Sequence, residues 1–447
     1  MLYITNLAAM LATVSGSIAK KLLVASLGAL TMLSDRYMPT QNNQSIMGMS
    51  RASSFDSEII PYRDELTETT IEFLSKYGYG HGYDDMVHLL HVNNHLPTIT
   101  ELYKYQPEAM KLFVNNIPLD AIPRELKPGI TFSRVNICGT TALKAADLSD
   151  TPEDTICKLT KLLTAFSTSK IERLCIQHIG TPYPLDSTSS KIPLAVTKSL
   201  QMHRTSSFFV DWLAASVDLK TATQEFELGI STSNLTSLAS LDGLELANLS
   251  SLYMFNLPHL RTLRCRLLQQ DTLKNLQLER LPKNVRVSVR LAIQLTAKTW
   301  DKLTIGLQLW KDLCYQTQGI GAASTLALVL SSPGEVQLIE DHPAPICSLM
   351  VTELVFYVNT IHRFSISVDF VKKVLIWTRI NVARAQSIWV RVNRGKLAPG
   401  VAEALSVLTV GTKKLAGLEK VTVGNVDLAV IDLPNNITAP EELLVAL

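Results

Sequence analysis

The 447-residue sequence lacks the short motifs of the best-known catalytic sites. It contains no GxSxG, GxxxxGK[ST], HExxH or GxGxxG, and no set of protein-kinase motifs. We therefore expect a protein that is not an enzyme, takes no cofactor and has no small-molecule substrate. An enzyme whose site is assembled from scattered residues is an alternative that motif searches do not exclude.

Cysteine is also scarce. Six cysteines occur in the chain, and none forms a CxxC pair, which excludes zinc-ribbon and thioredoxin spacings. Cys138, Cys175 and Cys265 lie within apolar runs, where a thiol usually acts as a small buried hydrophobic group. A chain of this length does not need disulfides for stability, so we expect free, buried cysteines.

Acidic residues are almost missing from the first fifty-five positions. Asp35 is the only acid before Asp56, and serine, threonine, asparagine and methionine are frequent there. This composition is typical of a mitochondrial targeting segment. Lys20 and Lys21 interrupt the apolar stretches, so we expect no firm transmembrane segment. We predict a targeting-like leader at residues 1–55 and mitochondrial localisation, with a cytoplasmic location as the alternative.

What the sequence has in abundance is aliphatic side chains. Hydrophobic residues make up 47% of the chain and aromatic residues only 6%, so leucine, valine, isoleucine and alanine must fill the core. The length fits two or three domains or one long repeat array. Residues 56–129 read as a small helical region, with a helix ending near Gly78 and short helices around 84–93, 98–105 and 107–114.

From residue 130 to 447, short strands alternate with helices. A strand containing Phe132, Val135 and Ile137 is followed by a helix that Thr151 caps, and then by a strand at 171–179. Ser207 is the expected cap of a later helix. The spelling LxxLxL starts at Ile171, Leu241, Leu260 and Leu273, with looser matches at Thr197, Thr223, Trp300, Ala323, Val351, Ala385 and Leu418.

Intervals of 18 to 34 residues between the main matches indicate a solenoid. The central residue of each match should be buried on adjacent parallel strands. We expect this of Leu174, Leu244, Leu263, Leu276, Leu354 and Ile388. Additional matches at Ile361 and Val371 interrupt the period and are interpreted as hairpin strands.

These repeats resemble the irregular, ribonuclease-inhibitor-like branch of the leucine-rich-repeat family. The resemblance covers roughly residues 130–433, although the asparagine or cysteine that the family has after the strand is mostly missing, with Asn359 and Asn393 the nearest matches. It implies an α/β solenoid of parallel strands and helices, preceded here by the small helical region. The alternative is an ordinary α/β domain with leucine-rich strands.

Four of the nine histidines fall between residues 81 and 95. Asp84, His88, His91 and His95 share one face of a predicted helix, but the ends of that set are about 16 Å apart, too far for one metal ion. His88 and His91 are the only weak candidates for metal ligands, and a polar or packing face explains the pattern better.

Charge is distributed unevenly behind a formal net charge of +2. Residues 259–302 hold ten basic and three acidic residues, and residues 361–396 hold eight basic and one acidic residue. In the sequence VRVSVRL, Arg286 and Arg290 alternate with valines, which predicts a strand with both arginines on its outer face. The expected partner-binding residues are Arg264, Arg266, Arg286, Arg290, Trp389 and Arg391.

The sequence therefore predicts a non-catalytic interaction or scaffold protein. We expect it to bind an anionic macromolecular partner through a basic solenoid face, as a subunit of a larger assembly with other protein subunits. One alternative is an RNA-binding component of an organellar ribonucleoprotein such as a mitochondrial ribosome. A helical segment ahead of leucine-rich repeats is also similar to F-box adaptors, but residues 56–128 contain no F-box motif.

Overall fold

The computed structural model describes residues 65–79, 110–139, 151–181, 184, 190–219, 225–317, 322–340, 349–358, 366–392, 397, 400–412, 415, 417–432 and 444–446. Several predictions concern residues outside this set. They are the targeting-like leader, the helices predicted at 84–93 and 98–105, and the metal-ligand candidates His88 and His91. Ile361, Asn359 and Asn393 lie outside this set as well.

The described chain contains eighteen short strands. In order they are β1 Gly78–Tyr79, β2 Met110–Phe113, β3 Thr131–Cys138, β4 Lys170–Gln177, β5 Ile192–His203, β6 Val217–Leu219, β7 Phe226–Ser231, β8 Leu249–Phe255, β9 Asn275–Glu279, β10 Thr299–Gly306, β11 Ala322–Leu330, β12 Leu349–Val358, β13 Val382–Arg384, β14 Ser387–Val392, β15 Thr409–Thr412, β16 Lys420–Val423, β17 Val426–Asp432 and β18 Leu444–Ala446.

Eight α-helices are interspersed with these strands in the described part of the chain. They are α1 Glu65–Tyr77, α2 Pro152–Ala165, α3 Ser207–Ser216, α4 Val289–Ala297, α5 Leu307–Thr317, α6 Pro333–Glu340, α7 Val368–Asn381 and α8 Val401–Ser406.

The strands form one long open sheet within an α/β fold. Parallel pairs join β2, β3, β4, β5, β7, β8, β9, β10, β11, β12, β14 and β16 in that order. β1 lies antiparallel beside β2, and β17 lies antiparallel beside β16. β17 also pairs in parallel with β15, and β15 with β18, while the short strands β6 and β13 pair beside β5 and β12. This repeat-like sheet fits a solenoid, because strands that neighbour in sequence also neighbour in space.

One column of buried side chains runs across all twelve parallel strands. Consecutive members are register partners, and they are separated by 23 to 39 residues along the chain. The column consists of Met110, Val135, Leu174, Leu200, Leu228, Leu252, Leu276, Leu303, Leu326, Leu354, Ile388 and Val421. Each strand therefore buries the same face, and the helices add their apolar faces to one continuous core.

Polar residues in the sequence cap the N-termini of several helices. Thr151 caps α2 in a capping box with Asp154, as expected. The cap of α3 is Ser206 and not Ser207, because the Ser206 hydroxyl accepts the hydrogen bond from the Phe209 amide. Val371 lies in α7 and not in a hairpin strand, because Ser367 caps a helix there.

The sheet begins earlier in the chain than expected. Residues 107–114 were predicted to be helical and residue 130 to open the repeats, but β2 already pairs in parallel with β3. Only four residues, with the burial pattern buried, exposed, buried, half-buried, form this strand. These four residues lie between Pro107 and Pro118. An alternation of four residues is too short to identify a strand from hydrophobic periodicity.

Two of the six predicted core residues are not on strands. Leu174, Leu276, Leu354 and Ile388 occupy the column as expected. Leu244 instead ends a 3₁₀ helix at Ala239–Leu244, and Leu263 lies in a connection between β8 and β9. Both are buried all the same. The matches at Leu241 and Leu260 therefore belong to the connections, while β8 starts at Leu249.

Candidate functional site

Trp389 and Arg391 lie two residues apart on β14, on the face away from the buried column. The Arg391 guanidinium carbon is 5.3 Å from the centre of the Trp389 ring and 5.8 Å from that of Tyr357 on β12. Lys420 on β16 places its Nζ atom 5.1 Å from the Trp389 ring centre. We call Tyr357, Trp389, Arg391 and Lys420 the aromatic cluster.

The charges of the aromatic cluster are already paired within the protein. Glu353 lies 4.0 Å from Arg391, and Asp427 lies 3.3 Å from Lys420. The hydrogen bond from the Thr422 hydroxyl to Asp427, aided by Lys420, lowers the pKa of that carboxyl below its usual value. Two cations and two carboxylates cancel, so this part of the sheet is not a strongly basic surface.

The other four predicted site residues do not lie on the main sheet. The strand predicted for VRVSVRL is wrong. Ser288 accepts a hydrogen bond from the Leu291 amide and caps α4, which contains Arg290 in its first turn. Arg266 opens a short 3₁₀ helix, Arg266–Gln269, and Arg264 precedes it in the connection after β8.

A second, minimal ladder brings these connections side by side. Single parallel bridges join Ser237 to Thr262 and Thr262 to Arg286. The Arg286 amide donates to the Arg261 carbonyl at 2.8 Å, and the Leu263 amide donates to the Arg286 carbonyl at 3.0 Å. The segment around Arg261–Arg264 therefore runs beside the segment around Arg286, although about 24 residues separate them in sequence.

This neighbourhood defines a group of five exposed arginines. We call Arg261, Arg264, Arg266, Arg286 and Arg290 the arginine surface. None of the five side chains forms an ion pair with an acid in the described part of the chain. Asp242, which approaches this region, accepts instead from the backbone amide of Arg266 at 2.6 Å and from the Cys265 thiol.

The N-terminus of α4 adds to the positive potential. Arg290 is in its first turn, Arg286 precedes it closely, and residues 285–300 contain no acid. The first turn of a helix carries partial positive charge and normally favours Asp or Glu. Arg290 in the first turn thus acts against the local stability of α4, and together with Arg286 it favours a negatively charged group from outside.

A polar cleft of about 410 Å³ borders the arginine surface. Its polar lining comes from Asn234, Thr236, His259, Arg261 and Asn284, in the connections that follow β7, β8 and β9. No acidic side chain of the described residues lines it. Arg261 belongs to both the cleft and the arginine surface, so the two form one region that is rich in hydrogen-bond donors.

In the described part of the chain, the buried thiols and the half-buried histidines lack the pKa values of a reactive centre. Burial raises the pKa of Cys265 to about 12, with a further increase from Asp242, and burial raises that of Cys138 to about 11. Burial also lowers the pKa of His203 to about 4, and its Nδ1 lies 2.6 Å from the Ser231 hydroxyl. Protonated thiols are poor nucleophiles. The five described cysteines form no disulfide with one another, and the described residues contain no group of three or more metal-binding side chains.

The structure thus divides the six predicted site residues into two groups. Arg264, Arg266, Arg286 and Arg290 lie on adjacent connections, whereas Trp389 and Arg391 lie on the main sheet, four strands beyond β9. Sequence analysis missed Arg261, Tyr357 and Lys420. Arg261 stands three residues before Arg264 in the same basic run, which was the available signal.

Comparisons with protein-family models, with curated proteins and with solved structures found no match for this chain. Within the described ranges, none of the helices combines the length and the apolar character needed to cross a membrane.

Proposed function

We propose that this protein is a non-catalytic scaffold that binds an anionic macromolecular partner through the arginine surface. The observation that carries the proposal is five exposed arginines on neighbouring connections, none of them paired with a described acid. Unpaired guanidinium groups repel one another and gain most when a carboxylate or phosphate approaches. Trp389 and Arg391 are a separate candidate contact, with charges that are largely balanced inside the protein.

We infer that the chain is an irregular leucine-rich-repeat solenoid of the ribonuclease-inhibitor-like kind. Support comes from the buried column of mostly leucine side chains and from its recurrence at unequal steps of 23 to 39 residues. The tight bends after the strands support it too. Non-glycine residues with positive φ directly follow β4, β5, β7, β8 and β9, namely His178, Arg204, Thr232, Asn256 and Arg280. A repeated local conformation of this kind is expected when successive units stack in one register.

We also propose that the partner assembly is mitochondrial. The support is the acid-poor, serine-rich composition of residues 1–55. A fusion of residues 1–55 to a fluorescent reporter should enter mitochondria. A diffuse cytosolic reporter, or one that enters the secretory route, removes this part of the proposal.

The anionic-partner proposal is tested with the double reversal Arg286→Glu, Arg290→Glu in the full chain. We expect the wild-type protein to be retained on immobilised polyglutamate or polyuridylate at low ionic strength, and the variant to elute at clearly lower salt. The matched comparison is Arg384→Glu against Arg286→Glu alone, because both single reversals change the net charge by two and Arg384 is an exposed arginine on β13, outside the arginine surface.

The outcome distinguishes a binding surface from ordinary solvated charge. Equal elution of wild type and double reversal at low salt refutes the proposal. A loss of retention that Arg384→Glu reproduces also refutes it, because net charge then explains the effect. If retention depends on Arg286 and is stronger on polyuridylate than on polyglutamate, the result indicates RNA as the partner.

A further inference from the structure

The outer face of α4 carries aliphatic side chains where a surface helix normally has polar ones. Val289 is 58% exposed and Ile293 is 51% exposed, and exposed Ala297 continues the same row at the spacing of one helical turn. The opposite face buries Leu291, Ala292, Leu295 and Thr296 in the core. We call Val289, Ile293 and Ala297 the α4 stripe. By contrast, α2 exposes Glu153 and Asp154 in its first turn.

The neighbouring helix also exposes a large side chain. Tyr315 on α5 is 80% exposed, two residues before Thr317. The Thr296 hydroxyl at the end of α4 donates to the Thr317 hydroxyl at 3.3 Å, so the two helices pack side by side. Three of the seven large hydrophobic side chains that are exposed in the described chain lie on this one pair of helices. Such clustering is typical of an interaction surface and not of scattered surface hydrophobics.

Charge identifies what fits this surface. Arg286 and Arg290 border the N-terminal end of the α4 stripe, and no acid occurs from residue 285 to 300. A suitable partner brings carboxylates to the arginines and apolar side chains to the stripe. An acidic amphipathic helix has both, with apolar groups spaced three or four residues apart. RNA has the negative charge, but its backbone offers nothing that covers exposed valine and isoleucine.

We propose that the α4 stripe and Tyr315 form the docking surface for an acidic amphipathic segment of a protein partner. The apolar side chains of that segment cover Val289 and Ile293, and its carboxylates pair with Arg286 and Arg290. This inference rests on the proposed function and narrows its partner from any polyanion to an acidic protein segment.

The test uses a display library of random 16-residue peptides, selected on the immobilised full-length protein. We expect enrichment of peptides that combine Asp or Glu with Leu, Ile or Phe at helical spacing. The most enriched peptide is then synthesised and titrated against variants by fluorescence anisotropy. Val289→Ser, Ile293→Ser should lower its affinity by about tenfold or more, as truncation of hot-spot residues does. Arg286→Glu, Arg290→Glu should weaken it strongly at low salt.

Matched controls separate docking from folding. Val407→Ser changes an equally exposed valine, 60% accessible and away from α4, and should leave the affinity unchanged. Circular dichroism should show the same melting curve for the wild type and the double-serine variant, because both altered residues are exposed.

Each result bears on one of the two proposals. Enrichment of purely acidic peptides, no enrichment, or binding that is indifferent to Val289→Ser, Ile293→Ser overturns the docking inference. If polyglutamate or polyuridylate is still retained through Arg286 and Arg290, the proposed anionic-partner function stands without it. If no polyanion is retained either, the proposed function fails as well.

Discussion

Arg290 offers a way to separate the stability of α4 from its function. The residue is in the first turn of the helix, where Ser288 is the cap and the first backbone amides have no partners within the helix. An exposed cation at this end is unfavourable by about 0.3–1 kcal/mol, and a carboxylate is favourable by a similar amount. Arg290→Glu should therefore stabilise α4 by about 1 kcal/mol at low salt, while it weakens binding of the proposed anionic partner.

Hydrogen exchange measured by mass spectrometry reports the stability of α4 locally, whereas a global unfolding measurement averages over the whole chain. A gain of about 1 kcal/mol corresponds to roughly fivefold slower exchange in a peptide that spans 291–298. Arg290→Gln should give about half of the effect in kcal/mol, and 0.5 M salt should remove most of it by screening.

Faster exchange in Arg290→Glu would refute the reasoning, because it would mean that Arg290 holds α4 in place through a contact of its own. Arg379→Glu is the control of opposite sign. Arg379 lies in the last turn of α7, where a cation is favourable, so its reversal should speed exchange of that helix.

Three further predictions concern the core and the buried ionisable groups. Leu276→Ala should cost about 2–5 kcal/mol in urea unfolding, because Leu276 is 2% exposed between Leu252 and Leu303 in the buried column; a loss below about 1 kcal/mol contradicts that position. His203 has its pKa lowered to about 4, so the unfolded chain takes up its proton first and stability falls as pH drops from about 6.5 to 4. His203→Gln should flatten that decline by about 1–2 kcal/mol, allowing for solvent screening, and a parallel pH curve argues against it. Burial raises the pKa of Glu279, which makes its ionised form unfavourable in the folded chain. Glu279→Gln should then stabilise the protein at pH 7 but not near pH 4, and an equal effect at both pH values contradicts this.

Much of the sheet could be predicted from leucine spacing, because the LxxLxL patterns coincide with the strands in most repeats. The matches that begin at Trp300, Ala323, Val351 and Ala385 each stand three residues before a member of the buried column. The spelling works because the first, fourth and sixth residues of each unit enter the core, while the intervening side chains point away.

Between β7 and β9, the LxxLxL pattern does not predict strands correctly, for a physical reason. Leu235, Leu238, Leu241 and Leu244 recur every three residues, and all four are buried. Three residues per turn is the period of a 3₁₀ helix, and the chain forms one at Ala239–Leu244. LxxL is therefore compatible both with a strand and with a 3₁₀ turn, and only the position of the neighbouring units decides between them.

Around Arg286 and Arg290, two periods overlap in the sequence. VRVSVRL alternates like a strand, but Ser288 followed by Leu291, Ala292 and Leu295 is a capped helix with one apolar face. The helix forms because its inner face joins the core, whereas an alternating strand at 285–291 would have had no partner along its length beyond the single bridge to Thr262. The cap and the spacing were visible in the sequence and carried the better prediction.

The arginine surface depends on the register in which neighbouring segments pair, and amino-acid composition does not determine that register. A count of charges identifies residues 259–302 as basic, whichever way each side chain points. The arginines become neighbours because Thr262 pairs with Arg286, one repeat of 24 residues later. A one-residue insertion between Leu273 and Leu276 would leave the charge count unchanged, yet it would shift β9 against β8 and turn its buried side chains outward. The surface therefore follows from the core, since the leucine column fixes the length of each unit and that length decides which arginines stand side by side.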